Sequence, residues 1–348
     1  MSEKIRRVAV VGSGFAGLSL AFQLVKRGIG VDIFEDPTLP SASSIATGLL
    51  HLFHGMQARV PPLGEAAMQA SLEQLSELDA LNDVAKKITL IRPAINKMQT
   101  SIFAKRARQY PQKTEYKPLP WDEETQALWI HDAYWIDSAT YLKRLRQFLE
   151  QKQCRFIEAR ITDSKELEKD YDRIILACGY GSVLLKEIKE LNLEGHLTRG
   201  QLAELNLQSP PPFALNGKTY LIPKTLSANE TTPWIMGSTF EKLPLDTDHF
   251  DHKTFDPEAR QKLCEQSQAL WSSVEPETAQ WQIGYRLAGP DHLPYLSKIS
   301  PKTYVFTGLG SKGLLYSTLL AQKLVERIIG NPGSFHFQIY AAKDAIYR

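Results

Sequence analysis

The chain has 348 residues, 43% of them hydrophobic and 23% charged, and a formal charge of +2. These are ordinary globular proportions, and the near-neutral charge argues neither for nor against a nucleic-acid partner. Cys154, Cys178 and Cys264 are odd in number and widely spaced. No disulfide framework or metal motif follows from them, and a reducing compartment such as the cytoplasm fits best.

Length alone suggests about two domains. Lys4, Arg6 and Arg7 precede a largely apolar stretch from Val8 to Val25. That stretch carries three spaced glycines, ends in Lys26-Arg27 and has no small-residue cleavage site, so it does not read as a secretory signal. No other segment has the length and apolarity of a membrane span, and a soluble protein is expected. The basic clusters at Lys4-Arg6-Arg7 and at Lys143-Arg144-Arg146 read as solvated faces.

Val8 to Val11 is apolar on both faces, as a buried parallel strand is. Gly12-Ser13-Gly14-Phe15-Ala16-Gly17 follows at once. Leu18, Ala21, Phe22 and Val25 then repeat at helical spacing and predict an amphipathic helix. Gly28 and Gly30 end it, and Val31 to Phe34 form a second apolar strand closed by Glu35. The pattern is a dinucleotide-binding turn. Gly12 permits the tight turn, Gly14 admits a pyrophosphate and Gly17 lets helix and strand pack closely. Phe15 and Ala16 open the helix, whose free N–H groups face the phosphates. Glu35 stands near the expected spacing of about 20 residues for a ribose-binding acid, and an acid there disfavours a 2′-phosphate.

The fingerprint alone does not separate NAD from FAD. A run of small residues from Pro40 to Gly48 enters Leu49-Leu50-His51. Such a run can pass the backbone and hydroxyls of Ser43, Ser44, Thr47, Gly48 and Leu49 along a pyrophosphate and a flavin edge. The plain alternative is a surface loop.

With this segment the chain resembles the D-amino-acid oxidase family, which includes glycine and sarcosine oxidases, and the resemblance extends in motifs over nearly the whole length. Ala133-Tyr134-Trp135-Ile136-Asp137, before a helix with Tyr141, Leu142, Leu145, Phe148 and Leu149 on one face, resembles the family's return into its FAD domain. Asp172 to Gly179 resembles the strand that ends in a small-residue turn at the cofactor, which implicates Ala177 and Gly179. Cys178 reads as a small buried residue, not a nucleophile.

Arg199-Gly200-Gln201 resembles the crossing into an antiparallel substrate domain. Tyr220-Leu221-Ile222-Pro223, followed by Ile235 to Phe240, resembles the motif whose tyrosine binds the substrate carboxylate, so Tyr220 is a candidate catalytic residue. Gly284-Tyr285-Arg286-Leu287 resembles the segment whose arginine clamps that carboxylate. A guanidinium suits the role because its planar fork stays charged when desolvated. Tyr304 to Thr307 reads as a strand, and Gly308-Leu309-Gly310-Ser311-Lys312-Gly313 follows it. Leu320, Leu324 and Ile328 then share a helical face. This second glycine-rich turn, with Gly308, Gly310, Ser311, Lys312, Gly313 and Leu314, is expected at the flavin's pyrimidine end, where a helix dipole stabilises negative charge. Lys312 either adds charge there or points to solvent. Ile45 stands where histidine-linked members carry histidine, and no cysteine surrounds Arg286, so non-covalent FAD is expected. His51 and His54 are expected near the flavin in packing roles, not as a metal site.

The resemblance implies an α/β fold: a doubly wound, Rossmann-like FAD-binding domain (residues 1–78, 136–200 and 284–348) interleaved with a mostly antiparallel α+β substrate domain (79–135 and 201–283). Ser209 to Pro212 reads as a local turn. The implied activity is oxidation of the C–N bond of a small amine or amino acid, by hydride transfer to flavin N5 and hydrolysis of the imine. One alternative follows from Gly308 to Leu315, which resembles the flavin domain of the bifunctional tRNA methylaminomethyl-uridine enzyme: oxidation of a carboxymethylamino group on tRNA. An NAD-dependent dehydrogenase and a non-catalytic flavoprotein or RNA-binding module remain open at this point. Partners are then a small amine, with tRNA as the alternative, and no membrane or metal.

Overall fold

In this computed structural model, residues 5–191, 193–224, 233–276 and 279–330 are described. The first third holds β1 (Arg7–Val11), α1 (Phe15–Val25), β2 (Gly30–Glu35), β3 (Leu49–Leu50), α2 (Gly64–Glu77), α3 (Leu81–Val84), β4 (Ala85–Pro93), α4 (Lys97–Gln109) and β5 (Thr114–Leu119). Next come β6 (Asp122–Ile136), α5 (Ser138–Gln151), β7 (Arg155–Glu158), β8 (Arg173–Leu176), α6 (Lys186–Glu190), β9 (His196–Asn206), β10 (Ala214–Asn216) and β11 (Tyr220–Pro223). Last are β12 (Pro233–Gly237), β13 (Glu241–Leu243), α7 (Pro257–Leu270), β14 (Gln280–Ala288), β15 (Tyr295–Lys298), β16 (Thr303–Thr307) and α8 (Gly313–Ile328).

Two sheets organise these elements. The first has the order β15-β16-β8-β1-β2-β7, parallel except for β15. Its central strands carry Val8, Ala9, Val10, Ile33, Ile174 and Ile175 at 0% exposure, which is why they read as unbroken apolar runs. The second sheet has ten strands in the order β13-β9-β12-β11-β10-β4-β6-β3, with β14 on β9 and β5 on β6. It is antiparallel apart from the β10–β4 pair. The expected fold class, a doubly wound sheet with a mostly antiparallel partner, is what the chain adopts.

Helix α1 is not the one-faced amphipath expected from its spacing. Every residue from Phe15 to Leu24 is buried, including Ser19 and Gln23. The polar pair is satisfied through Gln74 of α2, whose amide donates to Ser19 Oγ at 3.1 Å and to the Tyr141 hydroxyl at 2.7 Å, and accepts from Gln23 at 3.4 Å. A helix enclosed on all sides needs such partners because a buried polar group without one costs about 1–3 kcal/mol. In α5, Tyr141, Leu145 and Leu149 are buried as expected, and Leu142 and Phe148 pack half-buried beside them.

The basic clusters are only partly solvated faces. Arg7 and Arg155 both pair with Asp32 at 2.6 Å, and the Tyr171 hydroxyl donates to the same carboxylate at 2.7 Å. Asp32 is 5% exposed on its side chain, and a buried carboxylate persists only when its lone pairs are met. Lys4 lies outside the described residues.

Strands β9 and β14 run unbroken through positions 200–201 and 283–284. The proposed division into a nucleotide part and a substrate part is therefore best drawn at strand ends.

The β1–α1 turn is closed too tightly to admit side chains. A Cβ on Gly17 would lie 1.8 Å from Gly12 O, and one on Gly12 would lie 2.4 Å from Ala177 O. Backbone must move to admit either. Gly17→Ala is expected to lower stability by about 1–3 kcal/mol, the usual cost of overpacking, read as a shifted urea midpoint at unchanged slope.

Candidate active site

A cavity of about 600 Å³ runs along the carboxyl ends of the parallel strands and onto one face of the second sheet. That is the position where open α/β sheets bind ligands, and the size suits a cofactor.

At one end Glu35 closes β2 and lines the cavity. Arg146, from α5, brings one guanidinium nitrogen to 2.9 and 3.0 Å from its two oxygens. The same guanidinium lies 3.9 Å from the centre of the Phe156 ring. Arg146 thus supports the site from a side chain that is itself 40% exposed. Asp36 and Arg160, 3.7 Å apart, line the same end.

The β1–α1 turn comes next. Gly12 has φ 112°, and its N–H donates to Phe34 O at 2.8 Å. Gly14 caps α1 without a side chain, and no acidic residue occupies the first turn. The positive end of the helix is therefore left for an anion. Ser43 reaches this turn from the small-residue loop and accepts from the Phe15 N–H at 3.2 Å. A Cβ at Gly14 would sit 3.1 Å from that hydroxyl oxygen. Ala16, Thr47, Gly48 and Leu49 also line the cavity. Gly48 is held at φ 74°, where a Cβ would meet Ile136 O at 1.7 Å.

The third wall is the end of β8. Ala177, Cys178 and Gly179 all line the cavity. The Cys178 thiol donates to Val11 O at 3.3 Å, and burial pushes it up to about 12. It stays a thiol at neutral pH, in keeping with a packing role.

The second glycine turn faces the first. Gly308 and Gly310 have φ 73° and 55°, and α8 starts at Gly313 with no acid in its first turn. A Cβ on Gly313 would be 3.4 Å from the Phe15 ring, so the two helix N-termini converge on one cavity. Gly308, Gly310, Ser311, Gly313 and Leu314 all line it.

Three of the expected cofactor residues lie off the cavity wall. Gly17 serves the packing of α1 on the turn. The exposed Ser44 turns its hydroxyl back to Ser41 O at 2.7 Å. Lys312 donates to His292 O at 2.7 Å, and burial lowers its pKa.

The substrate end follows from strand register. Residues directly opposite in a ladder share a face, as do residues two apart on a strand. Asn216 pairs with Tyr220, Tyr220 with Gly237 and Gly237 with Leu202, while Gly200 pairs with Gly284 and Arg286 stands two further on. All these residues share one face of the second sheet. Its three glycines make room: a Cβ on Gly237 would meet the Tyr220 hydroxyl at 2.5 Å, on Gly284 the Ile45 side chain at 2.6 Å, and on Gly200 an Arg286 nitrogen at 3.1 Å. Arg286 donates to Ser238 Oγ at 3.3 Å. It has no carboxylate partner among the described residues. The Tyr220 phenol is raised by burial despite the Arg286 charge and the Ser238 and Thr47 hydroxyls beside it, and is a hydrogen-bond donor at neutral pH.

Sequence reading found Tyr220 and Arg286 but missed Asn216, Ser238, Arg146 and Asp36. Asn216-Gly217 signals a turn, but the structure keeps Asn216 in β10 and pairs it with Tyr220 across the three-residue loop 217–219, a register that the dipeptide does not give. The others are joined only in space.

His51 and His54 stack with ring centres 4.8 Å apart and both line the cavity. Burial, then the His54 and Arg92 charges, holds His51 well below 6.5. Burial, then Lys312, lowers His54 to about 4. Both are neutral at pH 7, and among the described residues no group of three metal-capable side chains occurs. Because these folded-state pKa values are depressed, the folded chain binds fewer protons than the unfolded one between pH 6.5 and about 4. Stability is full above that window and falls as pH drops through it. His54→Gln is expected to flatten the loss of Tm across the window; an unchanged slope would remove His54 as its source.

The residues fit FAD. The Glu35 end, two acid-free helix N-termini and the close backbone at Gly12 and Gly14 form a continuous cradle for an extended dinucleotide. A family model described as FAD dependent oxidoreductase (DAO) matches residues 7–327. The tRNA 5-methylaminomethyl-2-thiouridine biosynthesis bifunctional protein MnmC of Polaromonas naphthalenivorans is 26% identical over 373 residues, covering 94% of this chain and 57% of that protein. Its counterpart in Idiomarina loihiensis is 25% identical over 353 residues, covering 93% and 56%. The chain spans little more than half the length of these relatives. Glycine oxidase from Geobacillus kaustophilus superposes with a TM-score of 0.77 at 19% identity, covering 98% of this chain and 100% of that one. Iminodiacetate oxidase from Chelativorans sp. BNC1 gives 0.75 at 14%, covering 95% and 98%. At these identities the structures establish a shared fold. Among the described residues no helix is long and apolar enough to cross a membrane.

Proposed function

The chain belongs to the DAO family of FAD-dependent oxidoreductases, and on that footing we propose that it oxidises the C–N bond of a small amine or amino acid bearing a carboxylate. One observation carries this reading: Arg286 stands on the glycine-lined face of the cavity with a serine hydroxyl and, among the described residues, no carboxylate beside it. A cation kept without a counter-ion selects an anionic ligand, and a guanidinium binds a carboxylate with two parallel hydrogen bonds.

In this reading Arg286 takes the carboxylate, and the neutral Tyr220 hydroxyl donates a second hydrogen bond to it. Gly200, Gly237 and Gly284 keep the sheet face clear, so the carbon next to the carboxylate is held against the cofactor. Bound FAD supplies the two-electron acceptor for the hydride leaving that carbon. The nitrogen lone pair becomes the C=N bond, the nitrogen gives up a proton, and water splits the imine to a carbonyl and an amine. An amine that binds neutral needs no side-chain base. Glu35, supported by Arg146, accepts hydrogen bonds from the ribose hydroxyls. The first turns of α1 and α8 would hold the pyrophosphate and favour negative charge on the ring respectively.

A second reading keeps the same clamp but places the carboxymethylamino group on an RNA base. It is supported by the MnmC relatives, which match along nearly the whole of this chain.

Anaerobic mixing with glycine, sarcosine and D-amino acids is expected to bleach the flavin absorbance. Arg286→Ala should lower the bleaching kcat/KM by on the order of 100-fold, as loss of a charged hydrogen-bonded pair implies. Tyr220→Phe should lower it by roughly tenfold. Equal bleaching by wild type and Arg286→Ala would sink the clamp. Bleaching by carboxymethylaminomethyl-bearing RNA and by none of the free amines would select the second reading.

A further inference from the structure

Helix α4 (Lys97–Gln109) contains Lys97, Lys105, Arg106 and Arg108 and no acidic residue. Lys97, Ser101, Lys105 and Arg108 stand at i, i+4, i+8 and i+11, which puts them on one side of a helix, and all four are exposed. Among the described residues, none of the three basic side chains on this stripe has a carboxylate within ion-pair distance. Like charges at i and i+3, as at Lys105 and Arg108, weaken an isolated helix, while Arg106 and Arg108 in the last turn lie at the favourable end of its dipole.

The stripe lies on the outer face of α4, and the opposite, buried face, with Gln99 and Phe103, fastens the helix beside the active site. The buried Gln99 donates to Met56 O at 3.1 Å. Arg92 donates to Phe53 O and Gly55 O, both at 2.7 Å, and lies 5.4 Å from the ring of Phe103 on α4. These contacts fasten the helix to the segment that supplies His51, His54 and Gly55 to the cavity wall. At the same end Met56, Ile95 and Met98 are 60%, 40% and 45% exposed.

The geometry points to α4 as the surface that receives the phosphate backbone of an RNA substrate; this rests on the second reading above and deepens it. The stripe is about 16 Å long at 1.5 Å per residue and presents an ordered row of positive charge to a row of phosphates. The exposed methionines and Ile95 offer apolar contact to an unstacked base. A membrane fits less well. An interfacial helix must bury its apolar face in the lipid, and here Phe103 is buried within the protein, with Ile102 and Ala107 half-buried against it.

The test is fluorescence anisotropy of a labelled short RNA stem–loop with the FAD-loaded full chain, titrated from about 50 to 200 mM salt. Lys105→Glu/Arg108→Glu is compared with Lys169→Glu/Lys189→Glu, an equal charge change at exposed sites elsewhere. The α4 variant should lose on the order of tenfold in affinity and show a shallower salt slope, while FAD content and Tm stay at wild-type level. Failure of wild type to bind the stem–loop at the lowest salt would remove both this surface and the RNA reading. If carboxymethylaminomethyl-bearing RNA bleaches the flavin but the α4 variant binds like the control, the RNA reading stands and this surface falls alone. Sedimentation with phosphatidylserine vesicles should not retain the chain. Retention lost only in the α4 variant, at unchanged RNA affinity, would assign the stripe to a membrane and overturn the proposal.

Discussion

Between β1 and α1 the backbone closes on itself so tightly that positions 12 and 17 admit no side chain, and the rest of the architecture is arranged around that closure. Gly12 meets the carbonyl of Ala177 at the end of β8, and Gly17 meets the carbonyl of Gly12. The first contact brings a third strand end to the turn. The second lets α1 settle so deeply that Phe15 to Leu24 are all enclosed. A helix sunk this far presents its N-terminal amides to the cavity at fixed height, and α8 arrives beside it with Gly313 against Phe15. Two positive helix ends over one cavity make an anion site by geometry alone.

The second sheet follows a similar rule with a different purpose. Its glycines are placed where strands cross under the cavity, and each absence of a Cβ is filled by a functional or wall-forming side chain: Tyr220 over Gly237, Arg286 over Gly200 and Ile45 over Gly284. The sheet is thus a flat floor with a few side chains standing on it. Period-2 alternation sets which residues stand there, and cross-strand register sets which of them meet.

Charge reading from sequence placed Glu35 at the end of β2, on the cavity wall, and left out the residues around it. Arg146 belongs to a basic run that resembles any solvated helix face, yet it reaches across to both oxygens of Glu35 and stacks on Phe156. Arg7 and Arg155 converge on the buried Asp32 in the same way. In each case the partners are separated by many residues, and no local spacing rule connects them. The loop serine that meets the α1 N-terminus, Ser43, was identified by composition, and its neighbour Ser44 was grouped with it. Only the turn geometry shows that one hydroxyl caps the helix while the other folds back on its own loop.

The sequence by itself determined what depends on neighbouring residues: the strand–glycine–helix turns at both ends of the chain, the acid that closes β2, the apolar parallel strands and the motifs around Tyr220 and Arg286. Each is a consequence of backbone freedom, periodicity or a short spacing, and these are written along the chain. Tertiary structure alone decided the company those residues keep. It enclosed α1 on every side, set Asn216 opposite Tyr220 and Ser238 beside Arg286, gave Glu35 its arginine and tied Lys312 to the His292 carbonyl. The physical reason is that register and helix packing bring together residues tens to hundreds of positions apart, and a contact of that kind leaves no local signal in either segment.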